Sequence, residues 1–324
     1  MTTPTPVRRT RPRIAVALGL LAGLVVALVV LAFLWPVATS EPRDLPVGVV
    51  GAELPQTGDL PVEATAYDSR DEAVRAIEER EVYGALVLGG PAPEVLVAGA
   101  GHAAANAVVE GLGTQLAAAQ GVTPTVTDVV PLSADDPAGA GLSAMGFPLV
   151  LGGIVGGVLV SLLVAGVTRR LLALVVYAGA GGLLAAVVTG PLLGIAAGGF
   201  AISALVLAVS MLATASTVVG LNALIGAPGI GVGALVTMFV ANPISGGTTP
   251  YQFIAGPWGE IGQLFVPGAA QSLFREVSYF PDASTLHEWV VLGGWVVAGL
   301  LLSALGHFRS STPVHLPESE LEAV

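Results

Sequence analysis

Between Asp136 and Glu260 the chain carries only two charges, Arg169 and Arg170, and no acid. Soluble domains average about 25% charged residues, so so long a stretch cannot be the surface of a water-soluble fold. It divides into apolar runs: "FPLVLGGIVGGVLVSLLVAGV", "LLALVVYAGAGGLLAAVVTGPLL", "AAGGFAISALVLAVSMLATASTV" and the shorter "GIGVGALVTMFVA". "EWVVLGGWVVAGLLLSALGHF" follows later, and "RIAVALGLLAGLVVALVVLAFLW" precedes them all. About 20 apolar residues in a helix cross ~30 Å of hydrocarbon. The pattern predicts an α-helical polytopic membrane protein with six transmembrane helices in a lipid bilayer. The fifth run is short, and a segment that dips into the membrane without crossing is the alternative for it.

The first run, residues 14–37, exceeds the roughly 7–15 apolar residues of a cleaved signal peptide, and reads as a retained signal anchor. Arg8, Arg9, Arg11 and Arg13 hold the N-terminus, 1–13, in the cytoplasm. Arg169 and Arg170 mark the cytoplasmic end of span two and Arg309 that of span six, leaving a polar cytoplasmic tail, 310–324. Both ends of the chain are then cytoplasmic, in the plasma membrane.

The chain is 54% hydrophobic and 11% charged, with a net charge of -11. The acidity is local. Residues 38–145 hold 16 acids and 4 arginines, a balance of -12; the remainder holds 7 acids and 8 arginines, a balance of +1. Such a segment, set between spans one and two, predicts a soluble domain outside the cell. Strand signals ("DLPVGVVGAE", "YGALVLGG", "EVLVAGA", "TPTVTDVVPL") alternate with helix signals ("SRDEAVRAIEEREV", "HAAANAVVEGLGTQLAAAQ"), which predicts a small extracellular α/β domain with a mostly parallel or mixed sheet. Ser69 and Glu72 form a capping box, and Asp71 with Arg75 an i,i+4 ion pair.

Residues 242–286 are apolar but contain Pro243, Pro250, Pro257 and Pro267, which no single helix accommodates. Trp258, Tyr251 and Tyr279 suit the headgroup level. "GEIGQLF" and "AAQSLFREVSYF" each predict a short helix, and Pro267-Gly268 is expected to set the angle between them. The segment reads as interfacial or re-entrant, capping the outer mouth of a five-helix bundle, 146–309, with Asn242, Pro243, Gly246, Trp258, Pro267 and Gly268 as its candidate residues. An ordered connecting loop is the alternative.

Several chemistries are excluded. There is no cysteine, so no disulfide or thiol. There is no lysine, since all 12 basic residues are arginine. That removes a phosphate-cradling P-loop, whose lysine reaches the phosphates, and a lysine Schiff base. The histidines, His102, His287, His307 and His315, form no metal-binding spacing, and His102 reads as a helix-surface residue. No catalytic set, cofactor, metal or nucleic-acid partner is expected. Spans two to five contain no acid or histidine, which argues against a proton relay. Polar candidates for a path are Thr214, Ser216, Thr217, Asn222 and Asn242; the alternative is hydroxyls bonded to their own helix. Glycine pairs such as Gly152/Gly156, Gly153/Gly157, Gly194/Gly198 and Gly229/Gly233 fit either internal packing or a homo-oligomer face.

Three stretches resemble a known family: "EAVRAIEEREVYGALVLGG", "GLNALIGAPGIGVGALVTMFVANPISGG" and "LFVPGAAQSLFREVSYF", the last with Pro267, Gly268, Ala269, Arg275, Tyr279 and Phe280 in place. They resemble the permease subunits of ABC-2-type exporters, most of all the phage-infection-protein (YhgE/Pip) branch, whose order of one span, external domain and five spans covers nearly the whole chain. The resemblance implies an integral component of an export or cell-envelope system, moving a hydrophobic or amphipathic substrate outward. It also implies a separate ATPase docking on cytoplasmic loops. Here those loops, "VTRRLL" and "GLNALIGAPG", are too short for a coupling helix, and that branch often lacks an obvious partner ATPase. The alternative is a non-transporting, membrane-anchored interaction or receptor protein presenting its acidic domain, which could bind a cation, a cationic peptide or a partner protein.

Overall fold

The computed structural model describes residues 11–51 and 61–308. Arg8, Arg9, Arg309 and the tail 310–324, on which part of the expected orientation rests, lie outside the described residues. The protein is mostly helical, with a small α/β unit. Five helical stretches are long and apolar enough to cross a membrane. The first is α1 (Pro12–Ala38), apolar on every side and buried only at Pro36. It touches the rest of the chain near its end, where Phe33 meets Phe239 and Trp35 meets Trp258 edge-on, at 6.1 and 6.3 Å between ring centroids.

The α/β unit follows: β1 (Leu45–Val50), β2 (Val62–Tyr67), α2 (Arg70–Glu78), β3 (Gly84–Val87), β4 (Glu94–Val97), α3 (Ala103–Ala119) and β5 (Thr125–Asp128). The sheet order is β2-β1-β3-β4-β5, parallel except for the antiparallel β3–β4 pair. Alternation along the inner strands sorts their side chains. Leu86, Val95 and Val97 pack with Ala105 and Val109 of α3 on one face. Ala85 and Leu96 belong with Ala73, Ala76 and Ile77 of α2 on the other. Strand β2 was not legible in advance. It is an exposed edge, so its apolar content is low and no buried face disciplines its pattern.

Helix α2 begins as expected, with the Ser69 hydroxyl accepting from Glu72 N. Glu72 closes back on Asp68 N at 3.0 Å. The expected Asp71–Arg75 ion pair is not formed: Arg75 Nε instead reaches the Asp71 carbonyl at 3.4 Å. The helix is also shorter than its apolar pattern suggested. Arg80 N bonds Ile77 O and Glu81 N bonds Ala76 O, the paired closure of a Schellman turn.

After a short α4 (Ala140–Ala144), capped by the Asp136 carboxylate on Gly141 N and Leu142 N at 3.2 and 3.0 Å, come α5 (Gly146–Leu163), α6 (Val167–Val187, extended by a π-turn to Leu192), α7 (Phe200–Ile225), α8 (Ala227–Leu235, extended by a π-turn to Ala241), α9 (Trp258–Gln263), α10 (Val266–Tyr279) and α11 (Leu286–Phe308). α7 is the central helix: α5, α6, α8, α10 and α11 all pack on it. The glycine pairs work internally. A Cβ on Gly153 would strike Thr214, one on Gly156 the Tyr177 ring, and one on Gly229 the Leu221 carbonyl. Close helix contact of this kind needs small residues.

The fifth apolar run forms α8 and its π-turn, 15 residues in all (227–241) and shorter than the five spanning candidates. At 1.5 Å per residue it extends about 22 Å. It leaves the far end of α7 through a single residue, Gly226, held at φ +76°. Irregular chain, 242–250, carries on toward the sheet, where Phe253 packs among Leu45 and Val47. Such backbone needs internal partners away from water, and Gln263 Nε2 supplies one by donating to Ser245 O at 2.8 Å.

Candidate functional site

The helix pair α9–α10 dips into the bundle from the sheet side. Its turn lies beside Trp295, whose Nε1 donates to Leu264 O at 2.8 Å and whose ring stacks on Phe265 at 5.6 Å. Trp295 is nine residues into α11, so the turn is about 14 Å below the start of that helix. The break falls at Leu264–Phe265, where Phe265 has extended backbone (φ -100°, ψ 157°). Pro267 and Gly268 therefore do not set the angle, contrary to the expectation from sequence: both lie in the first turn of α10, where proline costs no hydrogen bond. Gly268 serves a different end. A Cβ there would come within 2.3 Å of Gly262 O, so its absence lets α10 lie against α9.

Helix α10 is buried along most of its length, and its outer half joins the bundle to the sheet. The sheet side presents a fixed turn. Asp128 accepts from Gly99 N and Val130 N, Ala100 N donates to Val130 O, and Gly101 N to Ala98 O. This turn offers the carbonyls of Ala100 and Gly101 to Arg275, whose Nη1 donates to both, at 2.8 Å to Ala100 O. Arg275 Nη2 reaches Gly247 O at 3.4 Å. Burial and nearby Arg80 lower the Arg275 pKa to about 10, which still leaves it charged. Next to it, Glu276 accepts from Arg80 Nη1 at 2.8 Å. Burial, partly offset by Arg80, raises the Glu276 pKa to about 7. Tyr279 donates to Ile195 O at 2.7 Å. Tyr279 is buried within the protein, whereas Trp258 is 44% exposed.

These contacts border a cleft of about 660 Å³ between the sheet and the segment 251–288. Arg80, Glu81 and Tyr83 line it from the sheet side; Tyr251, Glu260, Leu264, Glu276, Phe280, His287 and Glu288 line it from the other. Tyr83 donates to Gln252 Oε1 at 3.0 Å across the gap. His102, expected on a helix surface, is instead buried at the start of α3 beside Tyr83, and burial together with Arg275 and Arg80 pushes its pKa well down.

Below the α9–α10 turn lies a second, apolar cavity of about 180 Å³, bordered by Thr214, Thr217, Phe265, Val266, Pro267 and Trp295. Leu264 faces the cleft and Phe265 the inner cavity. Of the polar residues proposed for a path, Thr214 and Thr217 border this cavity. Ser216 and Thr217 bond back to Ala213 O, the local alternative. Asn222 is fully buried, and neither atom of its amide group has a hydrogen-bond partner among the described residues. Asn242, Pro243 and Gly246 sit apart from both cavities, around a space of about 520 Å³ bounded also by Phe33, Pro36 and Phe147.

Sequence reasoning missed Arg80, Glu276 and Arg275 as a set. One signal was present. Arg275 and Glu276 are the only charges between Glu260 and Asp282.

The fold and these cavities define a membrane-spanning helical protein with a small α/β unit joined to one end of its bundle by buried charges. Comparison with family models, with curated proteins and with solved structures finds no match to this chain.

Proposed function

We propose that this protein is an ABC-2-permease-like export component that moves a hydrophobic or amphipathic substrate outward across the plasma membrane, with its α/β unit outside and both termini in the cytoplasm. The observation that carries the reading is the α9–α10 turn, which separates a wide cleft bordered by charged side chains from an apolar cavity within the bundle. A single turn between a charged cleft and an uncharged cavity is suited to gating passage between them. The chain between α5 and α6 is only residues 164–166, and that between α7 and α8 only Gly226. Arg170 also folds back onto Ser161 O and Val164 O. These ends give an ATPase little to grip, which supports passage without direct coupling to ATP hydrolysis.

The test is reconstitution of the full chain into phosphatidylcholine vesicles carrying a fluorescent phospholipid in both leaflets, with exchange followed by a quencher added outside. The export reading expects faster exchange than in empty vesicles, altered by Trp295→Ala. A rate equal to that of empty vesicles for both proteins favours a membrane-anchored receptor.

A further inference from the structure

Four carboxylates border the cleft, Glu81, Glu260, Glu276 and Glu288, against one arginine, Arg80, and His287. Acidity alone does not make a site, but two of these groups are incompletely satisfied. Glu276 is 6% exposed and Glu288 9%, so both are at least nine-tenths buried. Each keeps one carboxylate oxygen, Oε2, buried and without a hydrogen-bond partner among the described residues. Buried polar atoms are almost always paired, and leaving a charged one unpaired is costly. Both residues border the same space, from α10 and from the start of α11.

The walls between the acids are aromatic: Tyr83, Tyr251 and Phe280. Arg80 already demonstrates what this combination holds. Its guanidinium donates to Glu276 Oε1 and lies 5.4 Å from the Phe280 ring centroid, a carboxylate and an aromatic face together on one cation. A volume of about 660 Å³ is within the range of roughly 300–1,000 Å³ that takes a small organic ligand. The carboxylates do not converge as metal ligands would: among the described residues no three acids or histidines are placed to hold a metal ion. Spread acids with aromatic walls fit a bulky cation of low charge density.

We infer that the cleft is a binding site for an organic cation, a substituted ammonium group carrying an apolar body, whose charge is received by Glu276 and Glu288 and whose body lies against Tyr83, Tyr251 and Phe280. Glu260, exposed at the rim, adds long-range attraction. The inference concerns binding and holds whether or not the bundle moves a substrate.

The full chain in dodecyl maltoside micelles, which carry no ammonium group, is titrated calorimetrically with benzyltriethylammonium. Benzyl alcohol, benzenesulfonate and Mg²⁺ are the neutral, anionic and inorganic comparisons. Saturable binding of the ammonium ion is expected, with no binding of the comparisons at the same concentrations. Glu276→Gln and Glu288→Gln should each weaken it by about tenfold or more, the scale of a lost charged partner, and Glu260→Gln by a few-fold. The rim variant leaves the buried network intact, so the test survives if a buried variant fails to fold. Absence of saturable ammonium binding overturns the inference. So does binding that all three substitutions leave unchanged, or equal binding of benzyl alcohol, benzenesulfonate or Mg²⁺. Lipid exchange in vesicles is a separate readout, so either result can fail without the other.

Discussion

Arg80 and Glu276, 196 positions apart, meet at 2.8 Å, and Arg80 makes this contact from a left-handed backbone conformation, φ +59°. That is the position after a helix end which glycine usually occupies. A side chain there costs about 1–2 kcal/mol in backbone strain, so the arginine is held by what its guanidinium reaches. Arg80→Gly would relieve the backbone yet strand a buried carboxylate. We expect it to lower the melting temperature all the same. A cycle of Arg80→Ala, Glu276→Gln and the double variant should show coupling of about 2 kcal/mol in thermal or denaturant unfolding. Additive single effects would mean that the pair contributes nothing to stability.

The same carboxyl makes stability depend on pH. Its folded pKa is raised from an ordinary value of 4.5 to about 7, so between those values the folded state holds more protons than the unfolded one. Stability then falls as pH rises through this window and levels off above about 7. Arg80, Arg275, Glu288, Glu81, Glu260 and His287 face or surround the group, and the nearby His102 has its own pKa pushed well down by burial and by Arg275 and Arg80. Melting curves of Glu276→Gln between pH 5 and 8 should lose this component of the slope. An unchanged profile would place the titration elsewhere.

Pro267 and Gly268 should respond unequally. Proline in the first turn of a helix is replaceable, so Pro267→Ala should change stability by less than about 1 kcal/mol. Gly268→Ala forces a methyl against Gly262 O and should cost about 1–3 kcal/mol by overpacking. Hydrogen exchange across 258–268 should rise in the second variant only. Equal effects would mean that the proline matters for a reason the packing does not contain.

Trp295→Phe keeps the ring against Phe265 but removes the donor to Leu264 O. A loss of about 1 kcal/mol is expected, with faster exchange confined to the α9–α10 turn. Global loosening instead would assign Trp295 to the core of the bundle rather than to the turn.

Because the chain has no cysteine, single cysteines report sidedness cleanly. Glu110→Cys on the exposed side of α3 should react with an impermeant maleimide in intact cells. Thr168→Cys, beside Arg169, should react only after the membrane is opened. The reverse pattern would invert the orientation proposed above.

Much of this molecule is written in local pattern. Period and length mark α1, α5, α6, α7 and α11, and alternation between turn residues marks the inner strands. The dipping helix pair could be read from four prolines in an apolar stretch. What could not be read depends on contacts distant in sequence. Nothing near Arg275 announces that two carbonyls of the Ala100–Gly101 turn await it, and Arg80 resembles one more charge at the end of a charged helix. The turn at Leu264–Phe265 carries no proline or glycine of its own. Packing against Trp295 fixes it, so the eye goes to Pro267-Gly268 nearby.

Helix α10 is fastened at its outer half to the sheet, through Arg275 and Glu276, while its inner end forms the turn between the two cavities. From the fastened Glu276 to the inner end at Val266 the helix is a rigid arm about 15 Å long, so a 5° tilt of the sheet, transmitted without slack, displaces the inner end by about 1.3 Å. That is close to half the diameter of a water molecule. A mechanical input at the acidic face thus has a short, stiff arm through which to act on the turn between the two cavities.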